Sequence, residues 1–142
     1  MYDETIKIPF IIYDPTEKNN RKRIRVQVRQ VDIMPPLADY MGFKVPNDLN
    51  GKSVLDLAKG KKMPRLDSFA ESVIAGYQST PAQEKIKIRS IRLQKHKLIC
   101  IEDTISNPCE LYDIKSDPGE RENIISEKDE QSELFKNFKT QF

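Results

Sequence analysis

The sequence predicts an α/β chain whose second half is a small antiparallel sheet. The evidence for the sheet is a pair of runs, 85–93 and 97–103, in which apolar and polar residues alternate across a short connection. An isoleucine-rich run at 6–13 and apolar residues at helical spacing over 33–41 predict a strand and a helix in the first half.

The first element is the run Ile6–Tyr13, "IKIPFIIY". It begins with alternation and becomes continuously apolar, which is typical of a strand buried on both faces. Pro9 restricts how this strand can pair. Because such a strand needs neighbours on both sides, we expect its sheet partners to come from sequence elsewhere.

Three further elements follow in the first half of the chain. Strict alternation over Arg23–Val31 predicts a half-exposed strand. Asp32–Tyr40 predicts a short helix with prolines in its first turn and Gly42 as its C-terminal cap. A single helical turn is expected at Ser53–Leu57.

The second half is predicted to be mainly strands. Phe69–Tyr77 favours a strand because it contains β-branched residues, and Leu111–Ile114 adds a strand to the predicted hairpin. Asp117-Pro118-Gly119 has the chemistry of a turn. Leu134, Phe135 and Phe138 lie at helical offsets and predict a terminal amphipathic helix.

Composition excludes several classes of function. A net charge of +2 over 142 residues creates no global field that would require nucleic acid or an acidic membrane as a partner. No window approaches the length of an apolar membrane span. Cys100 and Cys109 match no zinc pattern. A disulfide between them is an alternative, but we expect buried free thiols.

Five blocks of sequence, in order along nearly the whole chain, resemble the C-terminal part of the sulfatases, which belong to the alkaline-phosphatase-like superfamily. They are "YDETIKIPFIIYDP" (2–15), "VDIMPPLADYMGF" (31–43), "NGKSVLDLAKG" (50–60), "IRSIRLQKHKLI" (88–99) and "ELYDIKSDPGERENI" (110–124). One departure is Pro36, where the family more usually has threonine.

The resemblance implies a C-terminal portion of a sulfuric ester hydrolase with an alkaline-phosphatase-like fold. Residues 1–62 would end the large α/β domain, 63–85 would be a linker region, and 86–142 would form an antiparallel-sheet subdomain with a terminal helix. Implied partners are the N-terminal sulfatase portion or a second copy of the chain, and a sulfate ester in the complete enzyme. Neither nucleic acid nor a membrane is expected.

The sulfatases that this chain resembles use a formylglycine made from the first residue of a Cys/Ser-x-Pro-x-Arg motif, together with a divalent metal such as calcium. Neither cysteine and no serine of this chain begins that motif, and an Asp-His-Gly segment is also missing. We therefore assign no catalytic, cofactor-binding or metal-binding residue to this chain, and expect it to be inactive alone.

Some residues could still suggest chemistry. His96, the one histidine, is expected to be a solvated turn residue. Asp117 and Glu120 are interpreted as turn and helix N-terminal charges, and the basic run Lys18–Arg29 as a solvated strand face and loop. Spacing argues against a metal site made of the carboxylates Glu102, Asp103 and Asp113.

Two alternatives to a sulfatase portion remain at this point. One is part of a related phosphoester or phosphonate hydrolase from the same superfamily. The other is a stand-alone interaction module whose basic strand binds a polyanion.

Overall fold

A computed structural model describes residues 1–16, 22–46, 48–74, 86–102, 108–126, 135 and 138. The chain divides into two compact units. One combines residues 1–9 with residues 67–142, and the other comprises residues 10–66. No helix among the described residues is long and apolar enough to cross a membrane.

The first unit is built on an antiparallel sheet. Among the described residues it has four strands in the order β1-β2-β3-β4, which are β1 Ser68–Ile74, β2 Ile86–Arg92, β3 His96–Glu102 and β4 Cys109–Asp113. The predicted hairpin and the strand after it are confirmed. The strand predicted at 69–77 is confirmed as far as Ile74, and its last residues lie outside the described part of the chain.

One face of this sheet carries the main apolar core. Ile91, Leu98 and Leu111 are buried on neighbouring strands, and Phe135 and Phe138 pack in the same cluster. Both phenylalanines are helical and buried, as the predicted terminal helix requires. The remainder of that predicted helix, including Leu134, is not among the described residues.

The other face of the sheet mixes apolar and charged side chains. Ile99, Tyr112 and Ile114 form a second buried cluster, against which Ile88 packs. Lys97 shares this face with Ile99, because residues two apart in a strand point to the same side. The N-terminal segment, with the short helix α1 at Asp3–Ile6, contacts this face through side chains described below.

The expectation of free thiols is wrong, because Cys100 and Cys109 form a disulfide. The two residues are direct partners in the β3–β4 register, with Cα atoms 4.1 Å apart. Antiparallel pairing therefore places the thiols face to face, a consequence of register that the spacing of the cysteines alone does not reveal.

The second unit contains short helices joined by irregular chain. A 3₁₀ turn at Gln30–Asp32 leads into α2, Met34–Tyr40, and α3 covers Leu55–Ala58. The predicted helix and the predicted helical turn are thus confirmed. Gly42 has a φ of 75°, and the amides of Gly42 and Phe43 donate to the carbonyls of Asp39 and Ala38, which closes α2 as predicted.

Two predicted strands do not form in this chain. Residues 7–14 and 22–29 lie outside any strand, and the last part of Ile6–Tyr13 is exposed, with Ile11 and Tyr13 both 84% accessible. A strand requires hydrogen bonds to a neighbouring strand, and neither segment has such a neighbour among the described residues. The sequence patterns are typical of strands, but no described residue pairs with either segment.

The division into units differs from the boundaries expected of the complete protein. Residues 1–9 cluster with the sheet rather than with residues 10–66. The boundaries 1–62, 63–85 and 86–142 refer to the complete sulfatase and stay a prediction.

Candidate functional site

The most unusual feature of the first unit is a cluster of charged side chains, which we call the ion cluster. Lys97 and Glu120 are buried in it, and Asp3 and Arg92 are partly buried. Lys97 on β3 has no exposed side-chain surface. Its Nζ lies 2.9 Å from Asp3 Oδ1 and 2.6 Å from Glu120 Oε1. Burying an ammonium group is costly unless it is paired, and two carboxylates meet that requirement here.

Arg92 completes the cluster from the neighbouring strand. It stands opposite Lys97 in the β2–β3 register, so both cations are on one face of the sheet. The Arg92 Nε and Nη2 atoms each lie 3.2 Å from an Asp3 carboxylate oxygen. Burial by itself would raise the pKa of Asp3, but the hydrogen bonds from Lys97 and Arg92 hold it below the ordinary value of 3.8.

A tight turn after β4 positions Glu120. Asp117 Oδ2 accepts hydrogen bonds from the amides of Arg121 and Glu122, at 2.6 and 2.9 Å. This confirms Asp117 as a turn residue. The interpretation of Glu120 as a helix N-terminal charge is wrong, since residues 121–126 are not helical and the Glu120 side chain is buried against Lys97.

Glu120 also has a backbone conformation that disfavours most side chains. Its φ is 51°, in the left-handed region, which costs a non-glycine residue about 1–2 kcal/mol. One carboxylate oxygen accepts the backbone amide of Asp3 at 2.6 Å, while the other contacts Lys97 as an ion pair without hydrogen-bond alignment. The hydrogen bond from the Asp3 amide therefore ties the N-terminal segment to the turn after β4.

Beside the ion cluster, two tyrosines share one carboxylate. The hydroxyls of Tyr2 and Tyr112 donate to the same oxygen of Glu110, at 2.8 and 3.1 Å, and their rings meet edge to face at 6.1 Å. Burial and the hydrogen bonds with Tyr2 and Glu110 raise the pKa of Tyr112 well above its ordinary value. Both phenols thus act as neutral donors, and they add a second attachment for the N-terminal segment.

The second unit has its own buried carboxylate. Asp32 is 1% exposed and accepts hydrogen bonds from the Arg29 amide and guanidinium and from the Lys52 amide. Burial would raise the pKa of Asp32, but those donors lower it below its ordinary value. Asp32 therefore fastens the start of α2 to the segment before α3.

The residues that could have suggested chemistry do not converge. The expectation of a solvated turn residue at His96 is wrong, because His96 begins β3 and is half-buried opposite Asp113. Asp113 accepts hydrogen bonds from the amides of Lys115 and Ser116. Glu102 pairs with Arg89 at 2.6 Å. Asp103 is not among the described residues, and within those that are, no group of three His, Cys, Asp or Glu side chains could hold a metal ion.

Sequence reasoning missed the ion cluster, although one signal was present. Lys97 is in phase with Ile99 and Ile101, so it lies on the same face of the strand as two isoleucines. A lysine at such a position must be paired if it is buried. The ion cluster joins segments of the chain, because its charges neutralise one another and the Lys97 ammonium contacts both carboxylates.

The sequence matches a known protein family. All of residues 1–142 match the family model described as "N-sulphoglucosamine sulphohydrolase, C-terminal". The chain belongs to this family of sulfatase C-terminal domains. The Asp-Pro-Gly-Glu ending and the N-terminal segment that meet in the ion cluster thus both lie within a single sulfatase domain.

Individual sulfatases agree with the family match. The sulfatase domain is 30% identical over 89% of its length to the Delta 4,5-hexuronate-2-O-sulfatase of Bacteroides thetaiotaomicron, covering 26% of that protein. It is 30% identical over 88% of its length to the N-acetylglucosamine-6-O-sulfatase of the same organism, covering 22% of it. The chain therefore spans about a quarter of the length of these relatives.

The fold agrees as well. A solved structure described as a 2-O GAG sulfatase has a TM-score of 0.54 and 26% identity, with 78% of this chain and 23% of that chain covered. The similar solved sulfatases have the alkaline-phosphatase-like fold. The fold class expected from the sequence is thus confirmed, including the small antiparallel sheet of the C-terminal portion.

Proposed function

We propose that the complete protein is a sulfuric ester hydrolase that acts on sulfated carbohydrates, and that this chain is the domain that completes its fold. The observation that carries the proposal is the family match over all 142 residues. The substrate class is supported by two relatives, each 30% identical, whose names specify a hexuronate sulfate and an N-acetylglucosamine sulfate.

An upstream portion of the same protein is the proposed partner of this domain. Four consecutive residues, Phe10–Tyr13, are large, apolar and exposed by 42–84%. Helix α2 also exposes Met34 and Leu37, and Met41 at its C-terminal cap continues this helical spacing. Exposed apolar surface of this kind marks an interface, and relatives about four times longer supply the polypeptide to cover it.

The cofactors proposed for the complete enzyme are a divalent metal such as calcium and a formylglycine. The residues described here do not fit either group, since they contain no metal-binding cluster and no motif for formylglycine formation. We therefore place both groups on the upstream portion and assign this domain no chemical step. Its own contribution is to hold the N-terminal segment in place through Asp3, Lys97 and Glu120.

The two alternatives have less support. The match to a sulfatase family over all 142 residues leaves no separate region for a stand-alone interaction module. A phosphoester or phosphonate hydrolase shares the superfamily fold, but the relatives that are 30% identical are named as sulfatases.

Substrate class can be tested with the uninterrupted polypeptide that carries this chain as its C-terminal part. It should be incubated with sulfated monosaccharides and disaccharides, and in parallel with phosphate and phosphonate monoesters. Sulfate released from a sulfated sugar, measured by ion chromatography, is the expected result. Hydrolysis of a phosphonate or phosphate monoester without any release of sulfate would contradict the proposal.

A further inference from the structure

The two units of the chain differ in charge. Residues 10–66 contain twelve lysines and arginines and six aspartates and glutamates, whereas residues 1–9 and 67–142 contain twelve basic and sixteen acidic residues. The small net charge of the whole chain therefore conceals a basic unit and an acidic one. Charge of one sign, concentrated in one unit, acts on partners at short range even when the total is near zero.

Two hydrogen bonds bring two basic segments of the second unit together. Lys22 Nζ donates to the carbonyl oxygen of Ala58, and Gln27 Nε2 donates to that of Leu66, both at 2.9 Å. The segment 22–27 therefore runs beside the segment 58–66, from which it is separated by more than thirty residues of sequence. This adjacency is a product of the fold and is not visible in the sequence.

The adjacency produces a surface that we call the basic patch. All seven of its members are exposed, namely Lys22, Arg23, Arg25, Lys59, Lys61, Lys62 and Arg65. Within the described residues one carboxylate is paired with the patch, since Asp56 lies 3.0 Å from Lys61. That pair is weak, because the two side chains are 64% and 50% exposed.

The first of these segments is exposed at residues 22–25, but it is not the strand that its alternation predicted. Alternation over Arg23–Val31 suggested a strand with one charged, solvated face, but residues 22–29 form no strand. Arg23 and Arg25 lie between the two hydrogen-bonded positions of one segment, and Lys59 and Lys62 lie between those of the other. Like charges on neighbouring segments repel one another, and a bound polyanion would relieve that repulsion.

We propose that the basic patch binds a sulfated polysaccharide chain, so that successive sulfate groups meet lysine and arginine side chains from both segments. The inference rests on the proposed function, which supplies a sulfated carbohydrate as the polyanion. Guanidinium groups suit the ligand, because their planar donors can hold two oxygens of one sulfate group at once. Exposed lysines add charge without fixed geometry, which suits a polymer of irregular sulfation.

The test is to measure binding of the 142-residue chain to heparin by fluorescence anisotropy, between about 50 mM and 200 mM salt. The patch variant is Arg25→Gln, Lys59→Gln and Lys62→Gln together. A matched control variant changes one arginine and two lysines that are exposed in the other unit, as Arg121→Gln, Lys95→Gln and Lys115→Gln. Each variant loses three positive charges, so a difference in their affinity for heparin depends on where those charges lie.

We expect the patch variant to bind heparin at least about tenfold more weakly than the unchanged chain, with a salt dependence reduced by about 2–3 in logarithmic slope. The affinity of the control variant for heparin should stay within about twofold of that of the unchanged chain. A second patch variant, Arg23→Gln, Lys61→Gln and Arg65→Gln, should weaken binding in the same way. Unchanged urea midpoints would show that the variants remain folded.

Several results would overturn the inference. They are no binding of heparin by the unchanged chain, equal weakening by patch and control variants, or equally tight binding of desulfated heparin. Equally tight binding of single-stranded DNA of similar length would also overturn it, because the ligand would then not be a sulfated polysaccharide. Failure of the proposed function is seen separately, as an absence of sulfate release from sulfated monosaccharides by the uninterrupted polypeptide.

Discussion

Lys97 on β3 lies with its Nζ 2.6 Å from Oε1 of Glu120, in the turn that follows β4, and both side chains are buried. Through its second carboxylate partner, Asp3, the same lysine holds the N-terminal segment against the sheet. The closing sequence Asp117-Pro118-Gly119-Glu120 therefore has a physical explanation. It makes a turn that delivers one carboxylate to a lysine that would otherwise be buried without a partner.

Removal of the buried lysine should be strongly destabilising. In Lys97→Met, Asp3 would keep Arg92 as its partner, but the buried carboxylate of Glu120 would lose the cation that it contacts. The free energy of unfolding should fall by about 3–5 kcal/mol in urea titrations. Lys95→Met, at a position 58% exposed on the same hairpin, is the matched control and should change it by less than about 0.5 kcal/mol.

A loss below about 1 kcal/mol for Lys97→Met would show that the ion cluster does not hold the unit together. The doubly changed chain, Lys97→Met with Glu120→Gln, gives a further check. It should be more stable than Lys97→Met alone, since it no longer buries the Glu120 charge.

Stability should depend on pH through Asp3. Its pKa in the folded chain lies below 3.8, so folding favours the ionised form and gains stability above the unfolded pKa. As pH falls from about 5 through 3.8 toward the folded value, that stability is lost. Urea midpoints measured over this range should fall less steeply for Asp3→Asn than for the unchanged chain.

The control for the pH experiment is Asp39→Asn, which makes the same change of charge at an exposed position. Identical pH profiles for Asp3→Asn and the unchanged chain would refute the assignment of this pH dependence to the ion cluster.

The disulfide should contribute measurable stability. Cys100 and Cys109 are nine positions apart, and closing a loop of this size in the unfolded chain corresponds to about 2–3 kcal/mol. Urea unfolding with and without reductant should differ by this amount. Under denaturing, non-reducing conditions a thiol reagent should find no free thiol, and labelling of two thiols would contradict the bridge.

Gly51 should not tolerate a side chain. A Cβ at this position would lie 1.9 Å from the carbonyl oxygen of Val31 and 2.8 Å from its carbon, both of which are backbone atoms. Gly51→Ala should therefore cost about 1–3 kcal/mol, seen as a lower melting temperature. Gly119→Ala is the control, because its Cβ would approach only the flexible side chain of Arg121, at 3.3 Å or more.

Equal melting temperatures for the two alanine variants would mean that Gly51 and Val31 are not packed as closely as described. A lower melting temperature for Gly119→Ala alone would contradict the packing at both positions.

Local patterns predicted the elements whose partners are near in sequence. The β2–β3 hairpin was predictable from the alternation of apolar and polar residues in its two strands. Helix α2 was predictable from helical spacing and from the positions of Pro35 and Gly42, which mark its start and its end. The Ile6–Tyr13 strand was wrongly predicted because a buried strand also needs neighbours, which this chain does not supply among its described residues.

Contacts between distant positions were beyond sequence reasoning. The Cys100–Cys109 bridge depends on the β3–β4 register, and the contact of Glu120 with Lys97 depends on a backbone with positive φ at a non-glycine residue. Neither is encoded by spacing alone. The basic patch also required the fold, because hydrogen bonds from Lys22 and Gln27 decide which basic segments meet.

The most direct test of the account is to compare sulfate release by three polypeptides: the uninterrupted protein, the same protein ending before residue 1 of this chain, and the 142-residue chain alone. We expect turnover of a sulfated sugar by the uninterrupted protein and none by either part. Turnover by the 142-residue chain, or full turnover by the protein without it, would contradict the claim that this domain completes a sulfatase.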